Sequence, residues 1–290
     1  MPDVRLVTAA VLPVPDPDLG RLQRALTART VDVDVAKWHD PTVDWSDTPV
    51  TVLRSPWDYV DRLDEFLAWV DHAGRATALW NPPALVRWNT HKAYLLELAS
   101  LGAPVVPTVV LARGSAAALA GIADAQGWNA VVVKPAVAVG AGGAGRFDVG
   151  DGAGQEHLDA LLVDGDVLVQ PYASEIEREG EVSVVMFDGR ATHAVRKTPA
   201  AGDFRIHEHH GGTFAAIDLS AAPIALAERV AAALPTPTLY ARVDVIPIGG
   251  QWHVIEVEAT EPRLYLEHAP ASATDALVDA VITRIDRLAP

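Results

Sequence analysis

The 290-residue sequence contains no cysteine. Disulfides, thiolate nucleophiles and cysteine-ligated zinc or iron–sulfur centres are therefore excluded, and a reducing cytoplasm is the expected location. Long apolar runs are also missing: no stretch approaches the ~18 residues that suggest a membrane span. The opening residues, MPDVRLVTAAVLPVPDPDLG, lack a basic start followed by a long apolar run, so they do not read as a signal peptide. Basic residues are scarce, 23 Lys and Arg against 38 Asp and Glu, giving a formal net charge of −15. Nucleic acid and anionic membranes, which need basic patches, are thus not expected partners. A triphosphate bound by such a chain must be held by a few well-placed cations and metal ions, because the protein as a whole repels it.

Half of the residues are hydrophobic, enough for a large core in about two lobes. Periodicity predicts strands at 4–10, 31–36 and 50–53 and helices at 19–28 and 62–73, a small α/β unit over residues 1–90. Further along, a helix is expected over 89–101 with Thr90 as its cap, a strand over 105–111, an Ala-rich helix over 116–126, and a buried strand over 130–133. Only a short helix, 158–162, follows the DGAG segment, which reads as surface loop. Strands are expected at 167–170, 181–187 and 191–196, the last two as a hairpin, then a helix at 223–234. A second hairpin, 240–247 with 251–257, turns at Gly249-Gly250, and a helix over 274–287 closes the chain.

Three constellations carry chemistry. The loop VGAGGAGRF (139–147) has Gly140, Gly142, Gly143 and Gly145, whose backbone N–H groups can approach phosphate oxygens; alone, it also fits a surface loop. It lacks the GKS/GKT of a P-loop, and no helix follows it as in a dinucleotide fingerprint. Its context strengthens the phosphate reading. Lys134 ends the apolar strand VVVK just before the loop, where an ammonium is costly without a role. Lys92 offers a second phosphate cation, or is a solvated helix charge. The acidic constellation is Asp244 in ARVDVIP with Glu256 and Glu258 in VIEVEATEP. Period two puts Glu256 and Glu258 on one strand face, and a hairpin could set Asp244 opposite. Three such carboxylates repel unless a cation joins them, and Mg²⁺ prefers that ligand set; solvent exposure of one or two is the alternative. The basic set, Arg54, Arg196, Lys197, Arg205 and Arg242, suits phosphate or carboxylate oxygens. Arg54, Trp57, Asp58 and Tyr59 form a short cluster after a strand, able either to grip an amino acid or to start a helix with Asp58 as cap. His207, His209 and His210 have zinc-like spacing but no further ligand set, and no GxSxG elbow is present.

The ordered motifs, a lysine early in a helix, VVVKP, the glycine loop, QPY, GEVS, RVD and EVE, resemble the ATP-grasp superfamily, nearest its glutathione synthetase and D-alanine ligase branch. The similarity runs from about residue 92 to 262. LRSPWDY, NPPALVRWNTHKAYLLEL, VVVKPAVAVGAGG, HAVRKTPAAGDFR and YARVD extend it to nearly the whole chain, within a group that contains an O-ureido-serine cyclo-ligase of D-cycloserine biosynthesis. The resemblance implies a mixed α/β and α+β architecture: an N-terminal pre-domain (1–90), a central lid domain (91–175) and a C-terminal domain (176–290), with ATP between the last two. It implies that Lys92 and Lys134 bind phosphates under the glycine loop. Gln170, Pro171 and Tyr172 would lie beside adenine and Glu181 at the ribose. Asp244, Glu256 and Glu258 would ligate Mg²⁺, although the family more often has asparagine at the last position. Arg242 would stabilise an acyl phosphate, with Lys134 and Arg205 beside it. Arg54, Trp57, Asp58, Tyr59, Arg196 and Lys197 would face a small amino-acid-like substrate. The expected activity is ATP-dependent ligation through an acyl phosphate attacked by an amine, as a ring closure. The alternatives are an intermolecular amino-acid ligase and a non-catalytic nucleotide-binding regulator; a homodimer is compatible with each.

Overall fold

The structure is a computed structural model, and it describes residues 1–12, 14–199, 212–218 and 221–288. Three sheets follow one another along the chain. The first is parallel, ordered β2 (Val33–Lys37), β1 (Val4–Thr8), β3 (Val50–Ser55), β4 (Ala78–Trp80), with helices α1 (Pro17–Ala28) and α2 (Leu63–Ala76) as crossovers. Its inner strands β1 and β3 are covered on both faces: Val4, Leu6, Val7, Val50, Val52 and Leu53 are fully buried, whereas the edge strand β2 is largely half-buried.

Where one helix is expected over 89–101, two short ones form: α3 (Pro83–Asn89) and α4 (Tyr94–Ser100). Pro83 at the first turn starts α3. Thr90 does not cap the second helix; its hydroxyl donates back to the Arg87 carbonyl, 3.1 Å away, at the end of α3. Lys92 therefore sits in the turn between helices. The expected strand 105–111 is also divided. Val105 makes a single parallel bridge to Val254, and only β5 (Val109–Leu111) joins the next sheet.

That second sheet is antiparallel, ordered β5, β8 (Val167–Pro171), β6 (Ala130–Pro135), β7 (Gly145–Asp148). α5 (Leu119–Gln126) and α6 (Gly152–Asp164) pack on it through Leu119, Ala123, Leu158 and Leu162. The DGAG segment is the start of α6 rather than surface loop. Asp151 caps it, accepting the Ala153 N–H at 3.0 Å, an anchor that outweighs the glycines of the first turn.

After α7 (Ile176–Glu179), the third sheet has the order β11 (Thr213–Ile217), β10 (Arg190–Thr198), β9 (Glu181–Phe187), β12 (Tyr240–Ile248), β13 (Gln251–Glu258), all antiparallel. One face packs on α4 and α8 (Ala221–Ala232) through Val182, Val184, Val243 and Val257. Among the described residues, the other face is covered at one end. Val185, Phe187 and Tyr240 bury against the first sheet and α9 (Ala271–Asp286), whereas the end bearing Glu181 and Asp244 opens to a cavity. No helix among the described residues is long and apolar enough to cross a membrane.

Candidate active site

The floor of the cavity is the uncovered end of the third sheet. β12 and β13 turn at Gly249-Gly250, both at positive φ, and their register sets Asp244 opposite Glu256 and Arg242 opposite Glu258. β9 sets Ser183 opposite Asp244, and β10 sets Lys197 opposite Glu181. Strand alternation puts all seven side chains on one face. The carboxylates of Asp244, Glu256 and Glu258 offer oxygens within 4.8 Å of one another. Arg242 grips Asp244 with a fork, Nε at 3.0 Å and Nη2 at 2.8 Å, and also pairs with Glu258. Lys197 pairs with Glu181 and lies 3.5 Å from Asp244.

These neighbours split the carboxyls. Burial works against ionisation of Asp244, but Arg242 and then Lys197 outweigh it and hold that carboxyl far below the usual range. Glu258 is pushed up to about 8 by burial, an effect that Arg242 offsets only partly and that Glu256 and Asp244 reinforce. Three carboxylates that converge on one point, each offering an oxygen, fit a hard divalent cation.

Lys92 and Lys134 form the side wall. The Lys92 ammonium donates to the Ala138 carbonyl at 2.8 Å and pairs with Glu256 at 3.2 Å. Lys134 has no hydrogen-bonded or ion-paired partner among the described residues. Burial pulls its pKa down, and Glu256 pulls the other way. Of the four lysines in the sequence, Lys37, Lys92, Lys134 and Lys197, three line this cavity.

The glycine loop is the roof, between β6 and β7. Gly140 and Gly143 have φ of 63° and 71°, and a Cβ on Gly143 would come 2.8 Å from the Pro135 ring. An apolar slot, with Val106, Val132, Ile246 and Ile255, opens behind; Gln170, Pro171 and Tyr172 line it, and Gln170 is fixed by the Thr108 hydroxyl at 2.9 Å.

A second chamber of about 1040 Å³ opens in front, bounded by Trp57, Tyr59, Phe214, Glu261, Arg263 and Tyr265. Slot and chamber meet over Lys92, Arg242, Glu256 and Glu258, which line both.

Three expectations on the substrate side are corrected. Arg54 does not line the chamber: it is fully buried, donates to the Pro262 carbonyl at 3.0 Å and lies over the Tyr240 ring. Asp58 neither caps a helix nor faces the chamber; it accepts the Trp38 indole N–H at 2.6 Å. Arg196 points away from Lys197, as alternation demands, and donates to the Glu179 carbonyl at 2.6 Å. Arg205, with His207, His209 and His210, lies outside the described residues.

The residues that sequence reasoning missed lie on the segment 259–266, after β13. This segment has no regular secondary structure, and side chains from elsewhere hold its backbone. Asn81 donates to the Ala259 carbonyl (2.6 Å), and Asn89 accepts the Ala259 and Thr260 amides (2.7 and 3.1 Å). Trp57 donates to the Glu261 carbonyl (3.1 Å), Arg54 to that of Pro262 and Arg242 to that of Arg263 (3.2 Å). Asp18, itself fully buried, accepts the amides of Leu264 and Leu266 (2.6 and 3.0 Å), and His193 meets the Leu264 carbonyl at 2.7 Å. The Glu261 carboxyl, 7% exposed and hydrogen-bonded to the Tyr59 hydroxyl, is pushed up by burial.

Comparison with known proteins identifies the family. Residues 4–81 match the family described as D-cycloserine synthetase DcsG, N-terminal domain, and residues 96–267 match prokaryotic glutathione synthetase, ATP-grasp domain. The chain is 36% identical over 277 residues to the cycloserine biosynthesis protein DcsG of Streptomyces lavendulae, covering 90% of this chain and 92% of that protein. It superposes on the crystal structure of D-cycloserine synthetase DcsG with a TM-score of 0.89 at 31% identity, over 99% of both chains. A D-alanine–D-alanine ligase of Bacillus anthracis shares the fold alone, with a TM-score of 0.70 at 15% identity over 99% of this chain and 98% of that one. The chain belongs to the ATP-grasp family, whose ligases form carbon–nitrogen bonds with the use of ATP and, typically, a divalent metal.

Proposed function

We propose that the chain activates the carboxyl group of a small amino acid as an acyl phosphate and closes it on a nitrogen of the same molecule, as in the formation of cycloserine from O-ureido-serine. The observation that carries this reading is the junction: a flat apolar slot and an aromatic, charged chamber meet over one cluster of carboxylates and cations. Adenine suits the slot, beside Gln170, Pro171 and Tyr172, with the ribose toward Glu181. Lys92, Lys134 and the amides of the glycine loop take the phosphates. Asp244, Glu256 and Glu258 are the residues that would hold Mg²⁺, which would neutralise charge on the transferring phosphoryl group.

A carboxylate oxygen of the amino acid, entering from the chamber, attacks the γ-phosphorus, the bond to the β-phosphate breaks, and ADP leaves. Arg242 and Lys197 face the acyl phosphate so formed. The nitrogen lone pair then attacks the acyl carbon, the bond to phosphate breaks, and the nitrogen gives up its proton. With O-ureido-serine the ring nitrogen still carries the carbamoyl group, and one water must cleave that bond, releasing carbon dioxide and ammonia, to give cycloserine. Effective molarities of about 10⁵–10⁸ M make such an intramolecular attack fast once the geometry is held. The glycine roof excludes the water that would otherwise hydrolyse the anhydride.

Phosphate release with ATP, Mg²⁺ and a panel of small amino acids that includes O-ureido-serine tests the reading, and product mass identifies the ring. The chamber, at about 1040 Å³, also admits a second amino acid, which favours intermolecular joining as the second reading. A product heavier than the substrate would establish that one instead.

Lys134→Met is expected to weaken ATP binding about 10–100-fold, the scale of a hydrogen bond to a charged group. The melting temperature should stay within about 2 °C, because an unpartnered buried ammonium contributes little to the fold. Calorimetric titration with ATP checks this, and unchanged affinity would remove Lys134 from the phosphate site.

A further inference from the structure

We propose that Glu261 receives the ammonium group of the amino-acid substrate, an assignment that rests on the ligase reading above. The buried carboxylates of the floor each have a cation from the protein: Asp244 has Arg242 and Lys197, Glu181 has Lys197, Glu256 has Lys92 and Glu258 has Arg242. Glu261 is buried like Asp244 and Glu181 and more deeply than Glu256 and Glu258, yet among the described residues its side chain is met by the Tyr59 hydroxyl and by no lysine or arginine within ion-pair distance. The cations whose field reaches it, Lys92 and Arg242, are already committed to Glu256, Asp244 and Glu258. A carboxylate buried at a cavity wall without a cation is costly unless a ligand supplies one.

The surroundings suit an ammonium in particular. Trp57 and Tyr265 line the same chamber, and aromatic faces attract a desolvated cation. The position is fixed in advance. Asn89 and Asn81 hold the backbone just before Glu261, Trp57 and Arg54 hold it at Glu261 and Pro262, and Asp18 holds it just after. Such support, from groups that do not touch the ligand, is what keeps a binding residue in its productive geometry. Glu261 follows Glu258 by three residues, on the chamber side of the carboxylate cluster. An amino acid with its carboxyl over that cluster would direct its ammonium to Glu261. An ammonium held there keeps its proton and has no lone pair, so the attacking nitrogen is a different one in the substrate.

The test measures phosphate release with O-ureido-serine and with its counterpart carrying a hydroxyl in place of the ammonium. The wild-type enzyme should show a KM about 10–100-fold lower for the amino acid. Glu261→Gln should raise that KM by the same factor, bring the two substrates within about threefold of each other, and leave the KM for ATP nearly unchanged. A folded Glu261→Gln enzyme that keeps the wild-type preference would overturn the assignment. Equal KM values for both compounds in the wild-type enzyme would overturn it without any variant, so a misfolded variant does not shield the proposal. No phosphate release by the wild-type enzyme with any amino acid of the panel would overturn the proposed function, and this assignment with it.

Discussion

Replacing Glu256 with glutamine is expected to lower turnover about 100-fold or more at saturating ATP, the scale of a damaged catalytic metal site. The substitution keeps shape and volume and removes one charge. Glu256 sits opposite Asp244 in the β12–β13 register and is the residue through which Lys92 reaches the cluster. Its carboxyl is buried, but Lys92 and then Lys134 outweigh the burial and keep it below the usual range, so it is an anion ready to bind a cation. The half-saturating Mg²⁺ concentration should rise at least ~10-fold. Stability should fall only modestly, because Lys92 loses its ion-pair partner while repulsion among three carboxylates that lie within 4.8 Å of one another is relieved. Phosphate release as a function of Mg²⁺, alongside thermal melting, reads both effects. Turnover near wild type at low Mg²⁺ would take Glu256 out of the metal site, and a large drop in melting temperature would make its role structural.

Arg54→Ala is expected to destabilise the fold by about 3–5 kcal/mol, the scale for leaving buried charge uncompensated, and to lower the melting temperature by on the order of 10 °C. The Arg54 guanidinium is fully buried, 4.0 Å from the buried Asp16 carboxylate, and its charge also offsets the burial of Asp18. Removal exposes both acids to an apolar environment with less positive charge, and frees the Pro262 carbonyl. If Arg54 instead touched substrate, the KM for the amino acid would rise and the melting temperature would hold. Pairing Arg54→Ala with Asp16→Asn should recover part of the stability, since the second change removes a charge that the first leaves unpaired.

The floor of the site was legible in the sequence because it lies on strands. Strict alternation in ARVDVIP and VIEVEA, with Gly249-Gly250 between them, predicts both the hairpin and the shared face of Asp244, Glu256 and Glu258. The same rule says that Arg196 and Lys197 cannot both face the cavity, and the choice follows from Lys197 standing opposite Glu181. The scarcity of lysine was a usable signal: with only four in the chain, one at a strand end and one beside a proline-started helix pair stand out. The substrate side was not legible. EPRLYLEH has neither a helical nor a strand period, and its shape comes from side chains that are neighbours only in the folded chain. Arg54 misled for a related reason. A strand end next to aromatics suits both a ligand contact and a buried strut, and only burial distinguishes them.

The 259–266 segment also sets an order of events during synthesis. Its anchors lie far upstream: Asn81 precedes its partner Ala259 by 178 residues, Arg54 precedes Pro262 by 208, and Asp18 precedes Leu264 by 246. At about 5–20 residues per second, Asn81 waits roughly 10–35 s on the ribosome before Ala259 is made. During that interval the N-terminal sheet can pair its strands, yet Asp18, Arg54, Trp57 and Asn81 present groups whose partners do not exist. Closing loops of this length carries a substantial entropic cost, so these hydrogen bonds form only when the third sheet docks. The wall that faces the amino acid is accordingly the last part of the enzyme to take shape, and the nascent chain cannot recognise its substrate until nearly all of it has been translated.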